Sequence, residues 1–394
     1  MLSQADVTAQ EASKPEQASP EVVRDASGMV TVKYERGVKI SVGNRTTGPI
    51  VVVGWDRDFI EASAVSDRGV EAVRVQVSHD PSVAKILLKA DYAESEGNRV
   101  PLGMRQRLRE RRQALGLAEG AETQPPVKAD VPIPSAPPIQ PPSTAQWPDL
   151  PPLFNSRPGE IFLEVKVPRY TEIETITVNR SEVLVFGVET AITINGAKSA
   201  IKLRRVGAAE VKTSGGDVEV EDVSGLVDVI TTSGAIVVKN ARSDVRALSL
   251  NGRIEIQCAR GRVDVSNTDG PITLNGVFGD ASATSTNSHV RFSGPIRADG
   301  RYFLKSMSGP VEMEAPANSP GFTATLFSYR GGIETDFSLK TGKSNTKQGN
   351  AGASPVNRRL IGRYGNGQAQ ITLDSFDGTV RLSKMDAGAS KDCK

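Results

Sequence analysis

Asp228, Arg246 and Asp264 recur at intervals of 18 residues. Held one strand spacing apart, about 4.8 Å, such an acid–base–acid trio can bind a cation or an acidic sugar. It can equally form a cross-strand ion-pair ladder contributing about 0.2–1 kcal/mol per pair. Glu312 and Glu334 form a second candidate pair, because two carboxylates about 5 Å apart suit a retaining glycosidase. Arg291 nearby would neutralise one of them, and no general acid in an apolar pocket accompanies them, so no catalytic residue is assigned. Arg105, Arg107, Arg109, Arg111 and Arg112 crowd into eight positions. That patch suits an anionic polymer or membrane surface, or else a solvated helix whose arginines pair with Glu110 and Glu119. The two histidines, His79 and His289, and the two cysteines, Cys258 and Cys393, lack the spacing of a zinc site. No metal and no cofactor is called for.

The elements that position these side chains are a repeat. Pairs of the form apolar-x-apolar begin at Ile201, Val218, Ile236, Ile254, Ile272, Val290, Val311, Ile333 and Val380. A second pair starts nine residues upstream of each, from Ile192 and Ala209 through Val227, Val245 and Val263 to Ile371. A strand's period of two sends both members of a pair inward and the residue between them outward. Asp228, Arg246 and Asp264 are such in-between residues. Short runs rich in Gly, Asn, Asp and Ser, which tolerate tight corners, separate the two strands of each coil. The expected fold is therefore all-β: a parallel β-solenoid with two-strand coils of about 18 residues. One corner reads Asn267-Thr268-Asp269-Gly270, a tetrapeptide that also marks an active-site turn in pectin-hydrolysing β-helix enzymes. The further acidic and His-Gly turns such enzymes need are missing, so this one reads as a corner.

Around the repeat, residues 1–27 read as a polar, disordered leader and 28–92 as a β segment. Residues 93–158 form an insert of one basic helix and a proline-rich linker, with 12 of the 24 prolines falling between Pro125 and Pro158. The solenoid occupies 159–384, and 385–394 is a polar tail. The 48 basic and 46 acidic side chains leave a net charge of +2, so there is no specific nucleic-acid signal. No apolar run is long enough for a transmembrane span. The N-terminus lacks the charged and apolar regions of a signal peptide, although Ser3-Gln4-Ala5 has the small-x-small form left by export processing. Trp55 reads as packing under a turn. Strand alternation turns Cys258 inward as a small hydrophobe, unless the nearby corner changes the register and leaves a reactive thiol. Whether it pairs with Cys393 is open.

The runs Gly48-Pro49-Ile50-Val51-Val52-Val53-Gly54-Trp55-Asp56 and Val165-Lys166-Val167-Pro168-Arg169, the repeated Ser/Asn-Gly-x-Ile/Val-x-Val/Leu, and the closing Gly365-Asn366-Gly367-Gln368-Ala369-Gln370-Ile371-Thr372-Leu373 and Asp377-Gly378-Thr379-Val380-Arg381-Leu382 carry a resemblance. Over residues 30–92 and 160–384 the chain is similar to a bacterial adhesin-like β-strand-repeat family, a domain of unknown function. The resemblance implies a β-solenoid, bacterial origin and an envelope location, and supplies no catalytic residues. The insert departs from the family pattern. The expectation is a non-enzymatic, envelope-associated scaffold whose partner is a macromolecule: glycan, protein or envelope surface. The alternative is a polysaccharide-binding or polysaccharide-cleaving β-helix using the Asp228 face. A cytoplasmic location is the alternative to an extracytoplasmic one.

Overall fold

The alternating runs pair into two sheets of fifteen strands each in a computed structural model of the protein, which describes residues 21–93, 159–341, 358–385 and Cys393, apart from positions 27, 81 and 83. One sheet carries Val218–Val223, Ile236–Ala241 and Ile254–Ala259; the other carries Val227–Ser233, Val245–Asn251 and Val263–Asn267. Every central coil contributes one strand to each sheet, paired in parallel with the coils on either side. The register follows the 18-residue step, with Val218 opposite Ile236 and Val227 opposite Val245. Both members of every repeated pair except the terminal Ile333/Thr335, which is half-buried, are buried between the sheets, as at Ile236, Val238, Val245 and Ala247. This is the all-β parallel solenoid that the periodicity requires.

A third buried column was hidden in the spacing. Val188, Val206, Val223, Ala241, Ala259 and Val277 are all almost fully buried, three residues after the second ladder position instead of two. The residue before each one is left-handed: Gly187, Arg205, Asp222, Asn240, Cys258 and Gly276 have φ between 53 and 72°. That conformation adds one residue at the corner and returns the next side chain to the core. Cys258 therefore does not point inward; Ala259 takes the buried position.

Polar residues also stack inside. Thr213, Thr231, Ser249, Asn267, Ser285 and Ser306 are buried and in register at the ends of their strands. Several hold the corners: Thr213 Oγ1 donates to Gly215 O at 2.7 Å, Ser306 Oγ to Ser288 O at 2.7 Å and Asn267 Nδ2 to Gly252 O at 2.5 Å. Corner carbonyls satisfy these donors, whereas Ser249 Oγ and Asn267 Oδ1 in the same column are buried with no hydrogen-bond partner among the described residues.

At both ends spatial order departs from chain order. Lys39–Asn44 is inserted between Lys85–Tyr92 and Glu172–Asn179, and Ile50–Trp55 between Ile161–Pro168 and Glu182–Phe186. At the other end Ala369–Ser375 and Val380–Met385 slip inside the coil of Phe322–Ser328 and Ile333–Thr335. Three of the four outermost pairings become antiparallel, as in Val73–Asp80 with Lys85–Tyr92, and so does Phe322–Ser328 with Arg358–Tyr364, while Ile333–Thr335 ends its sheet parallel to Val380–Met385. Such returns cover edges that would otherwise template further strands. Val22–Arg24 pairs antiparallel with Val30–Lys33, so structure begins inside the expected 1–27 leader. The 93–158 insert leaves one coil at a corner, where Tyr92 Oη donates to Gly159 O at 2.6 Å and clasps its base. Its helix and linker expectations fall on residues outside the described ones.

Candidate functional site

The pleat brings Asp228, Arg246 and Asp264 side by side on the outer face of one sheet, directly opposite one another on adjacent strands. Arg246, two-thirds exposed, reaches Asp228 at 3.6 Å, whereas Asp264 pairs with Arg262, the residue just before its own strand, at 3.5 Å. The three are thus aligned but only two are joined. Exposed Ile230 and Leu248, also paired across the strands, border this column. Upstream, Lys212 donates to Glu210 at 2.6 Å; that hydrogen bond, with the same carboxylate's charge, raises the lysine's pKa, and Asp228 adds a smaller attraction. The face is an open, charge-balanced surface suited to contact with a partner.

Glu312 and Glu334 are not neighbours. Because Val380–Met385 is inserted between their strands, both lie opposite Arg381, whose Nη2 binds Glu334 at 2.6 Å. Two strand spacings, about 9.6 Å, and an arginine separate the carboxylates, which removes the retaining-glycosidase geometry. Arg291 binds Glu314 at 2.7 Å instead of neutralising either one. Asp269 is an exposed corner residue that accepts from the Asn287 amide. Trp55 packs beside Phe59 and donates from Nε1 to Phe59 O at 2.9 Å, a satisfied turn position. The five arginines from Arg105 to Arg112 lie outside the described residues. Among the described residues, no group of three or more His, Cys, Asp or Glu is placed to hold a metal ion.

One site escaped sequence reasoning. Cys258 and Cys393 form a disulfide, with Cα atoms 5.3 Å apart. The left-handed residue at 258 turns its side chain outward, and Gly276 on the next coil leaves room: a β-carbon there would collide with Cys393 Sγ. The bridge lies at a cavity of about 950 Å³ running along the corner of the rod. One wall is the left-handed column Arg205, Asp222, Asn240 and Cys258; the other includes Ser224, Arg242, Arg260 and Phe278. The readable signal was the spacing apolar-x-apolar-x-x-apolar, which marks the left-handed column.

A two-sheet parallel solenoid with open outer faces defines the class: a β-strand-repeat protein. Residues 153–383, more than half the chain, match the Toastrack DUF4097 family, and the chain belongs to it. Residues 30–92 lie outside that match, yet the structure threads two of their strands into the same solenoid. A solved structure from Clostridium sporogenes ATCC 15579, described as a "putative cell adhesion protein", aligns over 93% of this chain and 98% of that chain, at 6% identity and a TM-score of 0.18. A superposition that weak carries no argument about mechanism. A comparison with curated proteins finds no match.

Proposed function

We propose that this protein is a non-enzymatic interaction scaffold that works outside the cytoplasm and presents the sides of its rod to a macromolecular partner. The observation carrying this reading is the arrangement of the charged groups. They are spread along outward columns and paired within the sheets, as in Arg246 with Asp228 and Arg381 with Glu334, instead of converging on one reacting point as catalysis requires. The Cys258–Cys393 bridge supports an oxidising compartment, where such bonds persist. The Asp228, Arg246 and Asp264 column is one proposed contact face. The expected result is co-sedimentation of the purified, oxidised chain with isolated bacterial envelope fractions, with no new products released from envelope polysaccharides. Turnover of a defined polysaccharide by homogeneous protein would overturn the reading, as would failure to bind any envelope fraction.

A further inference from the structure

Arg242, Arg260 and Phe278 occupy one position on three successive coils. Their amides continue a single ladder: Arg242 N donates to Val223 O at 2.9 Å, Arg260 N to Ala241 O at 2.9 Å and Phe278 N to Ala259 O at 2.8 Å. The side chains are thereby stacked at about 4.8 Å intervals on one wall of the disulfide-bounded groove. Other arginines of the same coils have carboxylate partners, as Arg246 has Asp228, Arg253 has Glu255 and Arg262 has Asp264. Arg242 and Arg260 have neither an ion pair nor a side-chain hydrogen bond among the described residues, and both are exposed. Two adjacent guanidiniums left free in this way present a forked donor array matched to carboxylate or sulfate oxygens.

The rest of the groove narrows the ligand class. Across from the arginines, Asn240 Nδ2 donates to Asp222 Oδ1 at 3.0 Å, leaving one carboxylate oxygen and the amide's remaining atoms for hydroxyl groups. Phe278, 37% exposed, offers an aromatic face next to Arg260. Aromatic face, acid–amide pair and guanidinium pair together suit a ring with hydroxyls and an acidic substituent. From Glu189 to Phe278 the groove crosses five coil steps, about 24 Å, which is long enough for an oligosaccharide. We propose that this groove binds an acidic oligosaccharide, with Arg242 and Arg260 holding its carboxylate or sulfate groups, Phe278 stacking on a sugar ring and the Asp222–Asn240 pair bonding its hydroxyls. The proposal deepens the scaffold reading and rests on it.

The test uses the full oxidised chain on an array of uronate-, sialate- and sulfate-bearing oligosaccharides, each beside a neutral oligosaccharide of equal length. Isothermal titration of the best binder follows. Binding should be confined to acidic members and weaken with salt. It should fall at least tenfold in Arg242→Gln/Arg260→Gln and in Phe278→Ala, with unchanged circular dichroism and thermal midpoint. The substitutions Asp228→Ser, Arg246→Ser and Asp264→Ser should leave it unchanged. Equal binding of neutral members, or full affinity in the double arginine variant, would overturn the proposal. Polyglutamate displacing the oligosaccharide at equal charge concentration would also overturn it and point to an acidic protein. Envelope binding that survives in the double arginine variant, with the array silent, would defeat this site and leave the scaffold reading standing.

Discussion

Replacing Cys393 by Ser opens a loop spanning 135 residues, which runs from Cys258 through the C-terminal coils. Reasoning from chain entropy, cross-linking positions that far apart removes about 17 cal/mol/K from the unfolded ensemble, or about 5 kcal/mol at 25 °C. The loss should fall on the coils inside the loop. Coils before Cys258 unfold with neighbours that the bridge does not join, and in a repeat architecture stability is largely a sum of coil and interface contributions. Urea unfolding followed by circular dichroism should therefore show a lower midpoint for Cys393→Ser than for the oxidised wild type. Wild type under reductant should match the variant, and hydrogen exchange should accelerate most between Val263 and Met385. Coincident curves for oxidised and reduced wild type, or two titratable thiols in the folded oxidised protein, would refute the reasoning.

Other substitutions test separate features. Gly276→Ala combines a left-handed backbone, φ 65°, with a collision against Cys393 Sγ, so a thiol assay on the folded variant should find free cysteine where wild type has none. Ile254→Ala empties a fully buried ladder position between Ile236 and Ile272 and should cost about 2–5 kcal/mol in denaturant unfolding. Tyr92→Phe removes the hydroxyl that clasps the insert to Gly159; a loss of about 1 kcal/mol is expected, with faster proteolysis within 93–158. Glu164 lies on Ile161–Pro168 opposite Val51, and burial pushes its carboxyl pKa upward, with a smaller push from Glu61 that Lys166 opposes. A folded pKa above the unfolded one means the folded state holds the proton more tightly. That contribution is complete below the ordinary glutamate pKa and is lost as pH rises through the raised value. Glu164→Gln should accordingly raise the unfolding midpoint at neutral pH and leave it unchanged at acid pH.

Inward ladders and outward columns were legible because a strand's period of two is unambiguous in runs such as Val227-Asp228-Val229 and Val245-Arg246-Ala247. The same rule misplaced Cys258. The left-handed residue that shifts the register is Asn or Asp at two coils but Arg and Cys at others, so residue type alone did not reveal it. Asn267 looked like part of a signature turn, and its buried amide instead belongs to a column otherwise built of Ser and Thr. Coil order at the ends was not legible. Val311, Ile333 and Val380 share one pattern, and nothing local says that the last coil is inserted between the other two. That insertion separates Glu312 from Glu334. The groove depends on the same non-local facts: a corner register and a tail cysteine brought back to a distant coil.

The central claim, a binding scaffold that does no chemistry, is tested most directly by incubating the oxidised chain with the acidic oligosaccharides it retains and resolving the mixture by mass spectrometry. Retention of the intact oligosaccharide, with no shorter or unsaturated product at any time, is the expected result. Accumulation of such products in proportion to protein concentration would contradict it.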